Sequence, residues 1–267
     1  MNARLRAWAE NDGRGYPDWA VRYLPILRRF PGRDWSAPRI LEIGANENGF
    51  ARFSGARVVA VDIAVPHLKA ARASQAVTPV AGDIGALPFG DGQFDVVVCM
   101  DTYEHIPAEH RKRANREILR VLRANGVAVI GFPSGEAAFA AEGRIRAAYG
   151  ALTGGTIRWL EEHVAMGLPD AGEVKGDLAL ACGADYRVER RGNGALWMWE
   201  WMWRVLMCNW PGRGNGIAQA ALRVLVPVLS RIHHSPCYRT MLWVFPRGNN
   251  DQGKEKRYQD PGGGFRA

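Results

Sequence analysis

The sequence predicts an α/β protein: a doubly wound, mostly parallel seven-stranded sheet of the Rossmann-like kind, with a helical insert before the last strand. Three observations point there. Short apolar runs ending in Gly or Asp recur through the first half of the chain. They alternate with helical or loop segments. They are apolar on both faces, as parallel strands covered by helices on both sides must be.

The elements follow in order. Residues 18–30 carry Trp19, Tyr23, Ile26, Leu27 and Phe30 on one face at helical spacing, with Pro25 expected to distort or break the helix. Strands are expected at Arg39–Gly44 (RILEIG), Arg57–Asp62 (RVVAVD), Val77–Asp83, Phe94–Met100 (FDVVVCM) and Gly126–Phe132 (GVAVIGF). The third carries Pro79 near its start, and a helix through Leu68–Ser74 precedes it. The clearest helix is Ala108–Ala124: Pro107 sits where an N-terminal proline belongs, Asn125-Gly126 supplies a stop, and Ala114, Ile118, Val121 and Leu122 form the stripe to be buried. Residues 135–169 are rich in Gly and Ala with no clear strand. Asp170–Cys182 reads as a helix stopped by Gly183, and Tyr186–Arg190 and Thr240–Phe245 read as strands.

The organisation expected is therefore an N-terminal helical cap (1–36), a core (37–134), a helical region on the side of the second ligand (135–185), the last two strands with their insert (186–247), and a polar, glycine-rich tail (248–267) expected to be disordered. No internal repeat is present.

Composition narrows the class. Hydrophobic residues are 47% and charged residues 23% of 267, values that exclude collagen-like, coiled-coil and wholly disordered chains. The four cysteines (Cys99, Cys182, Cys208, Cys237) are far apart with no CxxC pair, which argues against a disulfide framework or zinc knuckle and for a reducing compartment. The N-terminal segment lacks the apolar run of a signal peptide, and no run of eighteen uncharged apolar residues exists. A cytoplasmic location is expected, with contact at the inner face of the membrane as an extension of it. The net charge is +8. Lys occurs only at 69, 112, 175, 254 and 256, so Arg dominates the cations. Such a surface could meet nucleic acid, anionic lipid or phosphorylated substrates, or reflect an Arg-rich coding bias.

In a doubly wound sheet, ligands bind at the carboxyl ends of the strands. The first strand ends in Glu42-Ile43-Gly44-Ala45-Asn46-Glu47-Asn48-Gly49, where small residues allow close backbone approach. The second ends in Asp62, eighteen residues past Gly44, where a carboxylate can accept from both hydroxyls of a ribose. Next come Gly82-Asp83-Ile84, Leu87-Pro88-Phe89, Asp91-Gly92 and Phe94-Asp95. The run GDIGALPFGDGQFDVVVCMDTYEHI, with the glutamate-glycine loop before it, resembles the class I S-adenosylmethionine-dependent methyltransferases, in their small-molecule and glycan branch. The resemblance covers about residues 37–134.

It implies S-adenosyl-L-methionine as cofactor. Glu42, Gly44 and Asn46 would flank its methionine part, Asp62 and Ile63 its ribose, and Asp83 with Ile84 its adenine, with Cys99 also at the site. The chain departs from the usual E-x-G-x-G-x-G, since Asn46 and Asn48 replace two glycines. A dinucleotide oxidoreductase would use Asp62 the same way, but it needs a G-x-G-x-x-G that is absent and leaves Asp83 and the LPF segment unexplained.

The acceptor side lies beyond the fourth strand, at Asp101, Glu104 and His105. A neutral imidazole suits removal of a hydroxyl proton; the plainer role for Glu104 and His105 is to orient the loop and cap the following helix. The spacing D-x-x-E-H also resembles the E-x-x-E-H of ubiquinone-pathway and small-RNA 2′-O-methyltransferases, in which a divalent ion is held. Glu-His without metal is common in the broader family, and no metal is assigned. Downstream, Glu161-Glu162-His163 follows the fifth strand, and His163 is the second candidate to flank the acceptor; a surface helix end is the alternative. His233 and His234 read as loop residues.

Residues 196–210 (LWMWEWMWRVLMCNW) hold five of the ten Trp. At helical spacing Trp197 meets Trp201, Trp199 meets Trp203, and Met198 meets Met202, while Glu200 and Arg204 make the polar stripe. A helix apolar nearly all round is buried or lies against lipid. With Ile217–Ile232 it reads as a helical hairpin: a lid over an apolar acceptor, an oligomer interface or a membrane-surface contact. EEHVAMGLPD, this insert and PCYRTMLWVFPR also resemble bacterial methyltransferases of glycan and glycolipid assembly.

The reaction expected is O-methylation of a small molecule or a lipid-linked saccharide. RNA methylation is the competing activity, favoured by charge but without a recognisable RNA-binding module. A non-catalytic scaffold is the third reading, resting on Asn46 and Asn48.

Overall fold

The computed structural model describes residues 16–30, 34–44, 49–71, 76–207 and 216–247. Asn46, Asn48, Cys208, the first fifteen residues and the expected tail lie outside them.

The strands are β1 (Ile40–Ile43), β2 (Val58–Asp62), β3 (Val77–Ala81), β4 (Phe94–Met100), β5 (Leu122–Pro133), β6 (Tyr186–Ala195) and β7 (Cys237–Pro246). They form one sheet in the order β3-β2-β1-β4-β5-β7-β6. The pairs from β3 to β5 are parallel, and β7 runs antiparallel to both β5 and β6. The expected seven-stranded, mostly parallel sheet is thus present. The order reverses between β1 and β4, which places a crevice at the carboxyl ends of those two strands, where Gly44 meets Thr102 of the DTYEH segment. Pro79 sits on β3, the edge strand, where its missing N–H breaks no interior ladder.

Helices cover both faces. On one lie α1 (Tyr16–Arg29) and α2 (Phe50–Ser54), whose Tyr23, Ile26 and Phe50 pack on Val96, Val98, Met100 and Trp243. Pro25 is accommodated inside α1. On the other lie α4 (Ala108–Val121) and α7 (Ala171–Cys182). Here Ala114, Ile118, Val174 and Leu178 meet Leu41, Val97, Ile130 and Leu242. Complete burial of a side chain such as Ile118 contributes roughly 1.5–3 kcal/mol. The short helix α3 (Val65–Ala71) backs β2 and β3.

Several boundaries differ from expectation: β3 ends at Ala81, β6 runs on to Ala195, and β7 begins at Cys237. The helix α4 ends at Val121, because Leu122 is already extended (φ −77°, ψ 134°) and pairs with Phe94. Residues 123–126 bulge out before regular pairing resumes at Val127, so Asn125-Gly126 serves a bulge rather than a helix stop. The Gly/Ala-rich stretch beyond β5 folds as α5 (Glu136–Thr153) and α6 (Arg158–Met166). The insert forms α8 (Leu196–Met207) and α9 (Gly216–Leu229). Among the described residues no helix is long and apolar enough to cross a membrane.

Candidate active site

Gly44 follows β1 at φ +84°, and a Cβ there would fall 1.8 Å from Thr102 Oγ1. Only glycine lets the β1 and β4 loops approach this closely. Glu42 is buried; its Oε1 accepts from Tyr23 O–H (2.7 Å) and from the Phe50 N–H (2.8 Å). The residue therefore ties α1 and the start of α2 to β1. Burial pushes its carboxyl up to about 7 despite both donors.

Asp62 closes β2. Its Oδ1 accepts from the Ala64 N–H (2.7 Å), whereas Oδ2 has only a long 3.3 Å contact to the largely exposed His67. A ribose could displace that histidine and take up both hydroxyl contacts. Ile63 beside it is 76% exposed, an apolar wall facing outward. Asp83 is exposed, its Oδ1 accepting from the Gly85 N–H (2.8 Å), and Ile84 is half-buried. These residues fit a nucleoside: a carboxylate with spare lone pairs, an apolar flank and a second carboxylate at the next strand end.

Cys99 is fully buried within the core beneath α4, with its thiol raised by burial first and by Glu104 and Asp101 second. Its surroundings are packing partners.

The LPF segment is strapped to α4. Glu117 Oε2 accepts from the Leu87 N–H (2.7 Å), while Arg120 donates to the Phe89 and Leu87 carbonyls (2.8 and 3.1 Å) and to Asp91 (2.8 Å). Phe89 packs edge-on to Phe94 at 5.0 Å. The motif therefore holds the Asp83 turn in place. Asp95 anchors backbone and side chain, accepting from the Arg39 N–H (2.7 Å) and Arg123 (2.6 Å).

On the acceptor side the structure divides DTYEH. Asp101 has φ 48°, left-handed for a residue other than glycine, which costs about 1–3 kcal/mol. Arg239 Nε donates to both its oxygens at 2.8 Å and Arg22 Nε lies 3.0 Å away. Arg239 also donates to Asp18 at 3.0 and 3.2 Å, and Arg22 pairs with Asp18. Burial opposes ionisation of Asp18, but Arg22 and Arg239 outweigh it and hold the carboxyl below its ordinary range. This four-charge cluster joins α1, the β4 loop and β7. The sequence signal was faint: Asp18 and Arg22 are one helical turn apart, and Arg239 is the one cation in an apolar strand.

Glu104, His105 and His163 come together instead. A ring nitrogen or carboxylate oxygen from each lies within 4.8 Å of the others. The two imidazoles are 5.0 Å apart. His163 lies on α6 and is buried. Its Nδ1 is 3.0 Å from both oxygens of Glu142 on α5, and Tyr238 O–H donates to that carboxylate at 2.6 Å. His163 Nε2 is 4.0 Å from Glu104 Oε1. His105 is half-buried, its Nδ1 3.1 Å from Glu162 Oε2. Burial, and secondarily Asp101, raises the Glu104 carboxyl well above its ordinary range. Burial, then His163, lowers His105. Glu142 and Tyr238 were not anticipated; Glu142 is a lone acid amid small apolar residues, and that isolation was the available signal.

The insert packs against this region. Trp199 is buried and stacks on Tyr238 at 3.8 Å, and Trp159 bridges His163 (5.4 Å) and Trp203 (5.4 Å). Met198 and Met202 are buried against α1 and α9. Trp197 and Trp201 remain 55% and 40% exposed. They line a surface cleft of about 360 Å³ with Leu196, Glu200, Arg204 and Pro236.

Residues 41–130 match the methyltransferase domain family. No curated protein sequence matches the chain. An S-adenosylmethionine-dependent methyltransferase from Thermotoga maritima is 15% identical, the match covering 91% of this chain and 98% of that one, with a TM-score of 0.54. A TehB-like S-adenosylmethionine-dependent methyltransferase from Corynebacterium glutamicum is 13% identical over 91% and 100%, TM-score 0.51. Phosphoethanolamine N-methyltransferase 2 of Haemonchus contortus, in complex with S-adenosyl-L-methionine, is 16% identical over 92% of this chain and 60% of that one, TM-score 0.53. At such identities the likeness is one of fold.

The sheet has the class I S-adenosylmethionine-dependent methyltransferase fold, and residues 41–130 carry a methyltransferase domain, for which S-adenosylmethionine is the cofactor. The chain carries that domain at residues 41–130, beneath its own N-terminal helix and beside a tryptophan-bearing insert.

Proposed function

We propose that the protein methylates a hydroxyl oxygen of a small molecule or glycan, the acceptor docking against Glu104, His105 and His163. The observation that carries this reading is the Glu142–His163 pair. A carboxylate on Nδ1 fixes the imidazole and leaves Nε2 as the acceptor atom, the arrangement by which a histidine takes a proton from a hydroxyl. An amine acceptor already has its lone pair once neutral; a hydroxyl needs its proton removed as it attacks, so an oriented base favours oxygen.

When bound, S-adenosylmethionine supplies a sulfonium-activated methyl group. Asp62 with Ile63, and Asp83 with Ile84, would hold its nucleoside part, and Glu42 and Gly44 would flank its methionine part. The residues of α5, α6 and α8 enclose the acceptor: Trp159 and Trp203 keep water from His163, and Tyr238 steadies Glu142. The exposed Trp197 and Trp201, with Val224, Leu225 and Val228 on α9, would rest on lipid or on the apolar portion of a lipid-linked acceptor.

The test is methyl transfer from labelled cofactor to matched hydroxyl and amine acceptors, free and lipid-linked. Incorporation into hydroxyl acceptors, lost in His163→Gln with cofactor binding retained, supports the reading. Exclusive incorporation into amines contradicts it.

A further inference from the structure

We propose that His233 and His234 form a pH-sensitive latch at the base of the helical insert, closed while both imidazoles are neutral and released when they take up protons. The insert leaves the sheet after β6 and returns to it at β7. Four hydrogen bonds join its outgoing arm (194–197) to its returning arm (232–236). Two run between backbones: the Ala195 N–H donates to the Ile232 carbonyl (3.0 Å) and the Leu196 N–H to the Pro236 carbonyl (2.8 Å). The other two end on imidazoles. The Gly194 N–H donates to His233 Nδ1 (3.1 Å), and the Trp197 indole N–H donates to His234 Nε2 (2.9 Å).

Neither donor can change its role. Backbone and indole N–H groups only donate, so each facing nitrogen must offer a lone pair. A proton on that nitrogen sets two N–H groups against each other. Imidazole is the side chain that makes this exchange between about pH 5 and 8. The neighbours of His233 favour its neutral form. Arg28 of α1 reaches the same turn, donating to the Ser230 carbonyl (2.7 Å) and hydroxyl (2.8 Å). Arg231 stands at the end of α9, its guanidinium on the Pro227 carbonyl. The Cys237 thiol of β7 donates to the His233 carbonyl (3.0 Å), and Gly192 and Gly194 of β6 bring no charge. On α8, Glu200 follows Trp197 by about one turn and is paired with Arg144 and Arg204. Burial first, and Arg28 with it, holds His233 below the ordinary imidazole range, against a bond to the Ser230 backbone. Its contribution to the closed base is therefore whole above the unfolded value of about 6.5 and is lost as pH falls through the lower folded value.

The latch acts on the pocket through α8. Trp199, two residues beyond Trp197, stacks on Tyr238 at 3.8 Å, and Tyr238 donates to Glu142 behind His163. Release at the base of α8 loosens that wall, while the β6–β7 ladder keeps its own pairing. The effect on acceptor entry rests on the reading of this pocket as the acceptor site; the latch itself does not.

The experiment is amide hydrogen exchange of the full chain at pH 5 and 7.5, corrected for the intrinsic pH dependence of exchange and read by mass spectrometry. In the wild type, protection of the amides of 194–196 should fall about tenfold or more at pH 5, the loss of two hydrogen bonds, while peptides of β4 and β5 keep theirs. His233→Asn and His234→Gln put an amide oxygen in place of Nδ1 and Nε2 and accept at either pH. The double variant should therefore stay protected at both, with S-adenosylhomocysteine binding as the check that it is folded. Nitrogen-15 shifts of the wild-type imidazoles test the same claim without substitution: the loss of protection should track their protonation. Equal wild-type protection at both pH values would overturn the proposal. So would an acid loss that the folded double variant retains, or one that does not follow the two imidazoles. The two readings fail separately. A latch that behaves as described on a chain that methylates only amines removes O-methylation alone, and hydroxyl methylation with a pH-independent base removes the latch alone.

Discussion

Both carboxylate oxygens of Glu142 lie 3.0 Å from His163 Nδ1, so the ring presents Nε2 to Glu104. Glu142→Gln keeps the shape but removes the charge that sets this tautomer. It should lower the rate of methyl transfer about 10–100-fold and leave S-adenosylhomocysteine affinity unchanged. Tyr238→Phe should have the same sign and a smaller size. Steady-state kinetics beside calorimetry checks both; an equal loss of cofactor affinity would mean the pair is only structural.

Burial raises Glu42 to about 7, against about 4.3 for an unfolded glutamate. Between those values the folded state keeps a proton that the unfolded state has lost, so stability falls as pH rises from about 4.3 to 7 and is level above. The whole span amounts to about 4 kcal/mol. In Glu42→Gln the amide oxygen can still accept from Tyr23 and Phe50, and this contribution to the slope should vanish. Urea unfolding at pH 5 and 7.5 measures it; an unchanged slope in the variant would refute the assignment to Glu42.

Arg239 stands between the carboxylates of Asp18 and Asp101 with 1% of its area exposed. Arg239→Ala leaves buried Asp18 and half-buried Asp101 with Arg22 as their one remaining cation in the cluster and should destabilise the fold by about 3–5 kcal/mol. Asp18, which Arg239 helps to hold below its ordinary range, should then titrate upward, so that part of the loss returns at low pH. Thermal unfolding across pH reads both effects.

Trp197 and Trp201 project from α8 without burial, in contrast to Trp199 on its inner face. The double change to Ala should leave Tm nearly unchanged. It should reduce sedimentation with anionic phospholipid vesicles several-fold, given the apolar area removed. Wild-type protein that ignores vesicles would confine these side chains to another partner.

The fold was legible because the central strands are apolar on both faces, the pattern of a covered parallel sheet, and because Asp62 ends β2 while Asp83 follows β3 by two residues. The acceptor site was legible in part. Glu104, His105 and His163 stood out as chemistry-bearing residues, but 57 positions separate the two histidines, and nothing local says that they meet. Asp101 lies beside Glu104 in sequence and in a different network in space, because Arg22 and Arg239 come from opposite ends of the chain. The LPF segment was read as a motif, yet its hydrogen bonds go to Glu117 and Arg120, a helical turn about thirty residues on. The insert was expected to be apolar nearly all round; the structure buries one face on Tyr238 and the α1–α9 cluster and exposes the other.

The most direct measurement is calorimetric titration of the purified protein with S-adenosylhomocysteine, alongside Asp62→Ala. A carboxylate accepting from two ribose hydroxyls contributes roughly 1.5–3 kcal/mol per bond. Micromolar binding by the wild type, weakened about a hundredfold or more in the variant, is the predicted result. No binding by a folded wild-type chain, or equal binding by both, would contradict the placement of the cofactor at the carboxyl ends of β1 and β2.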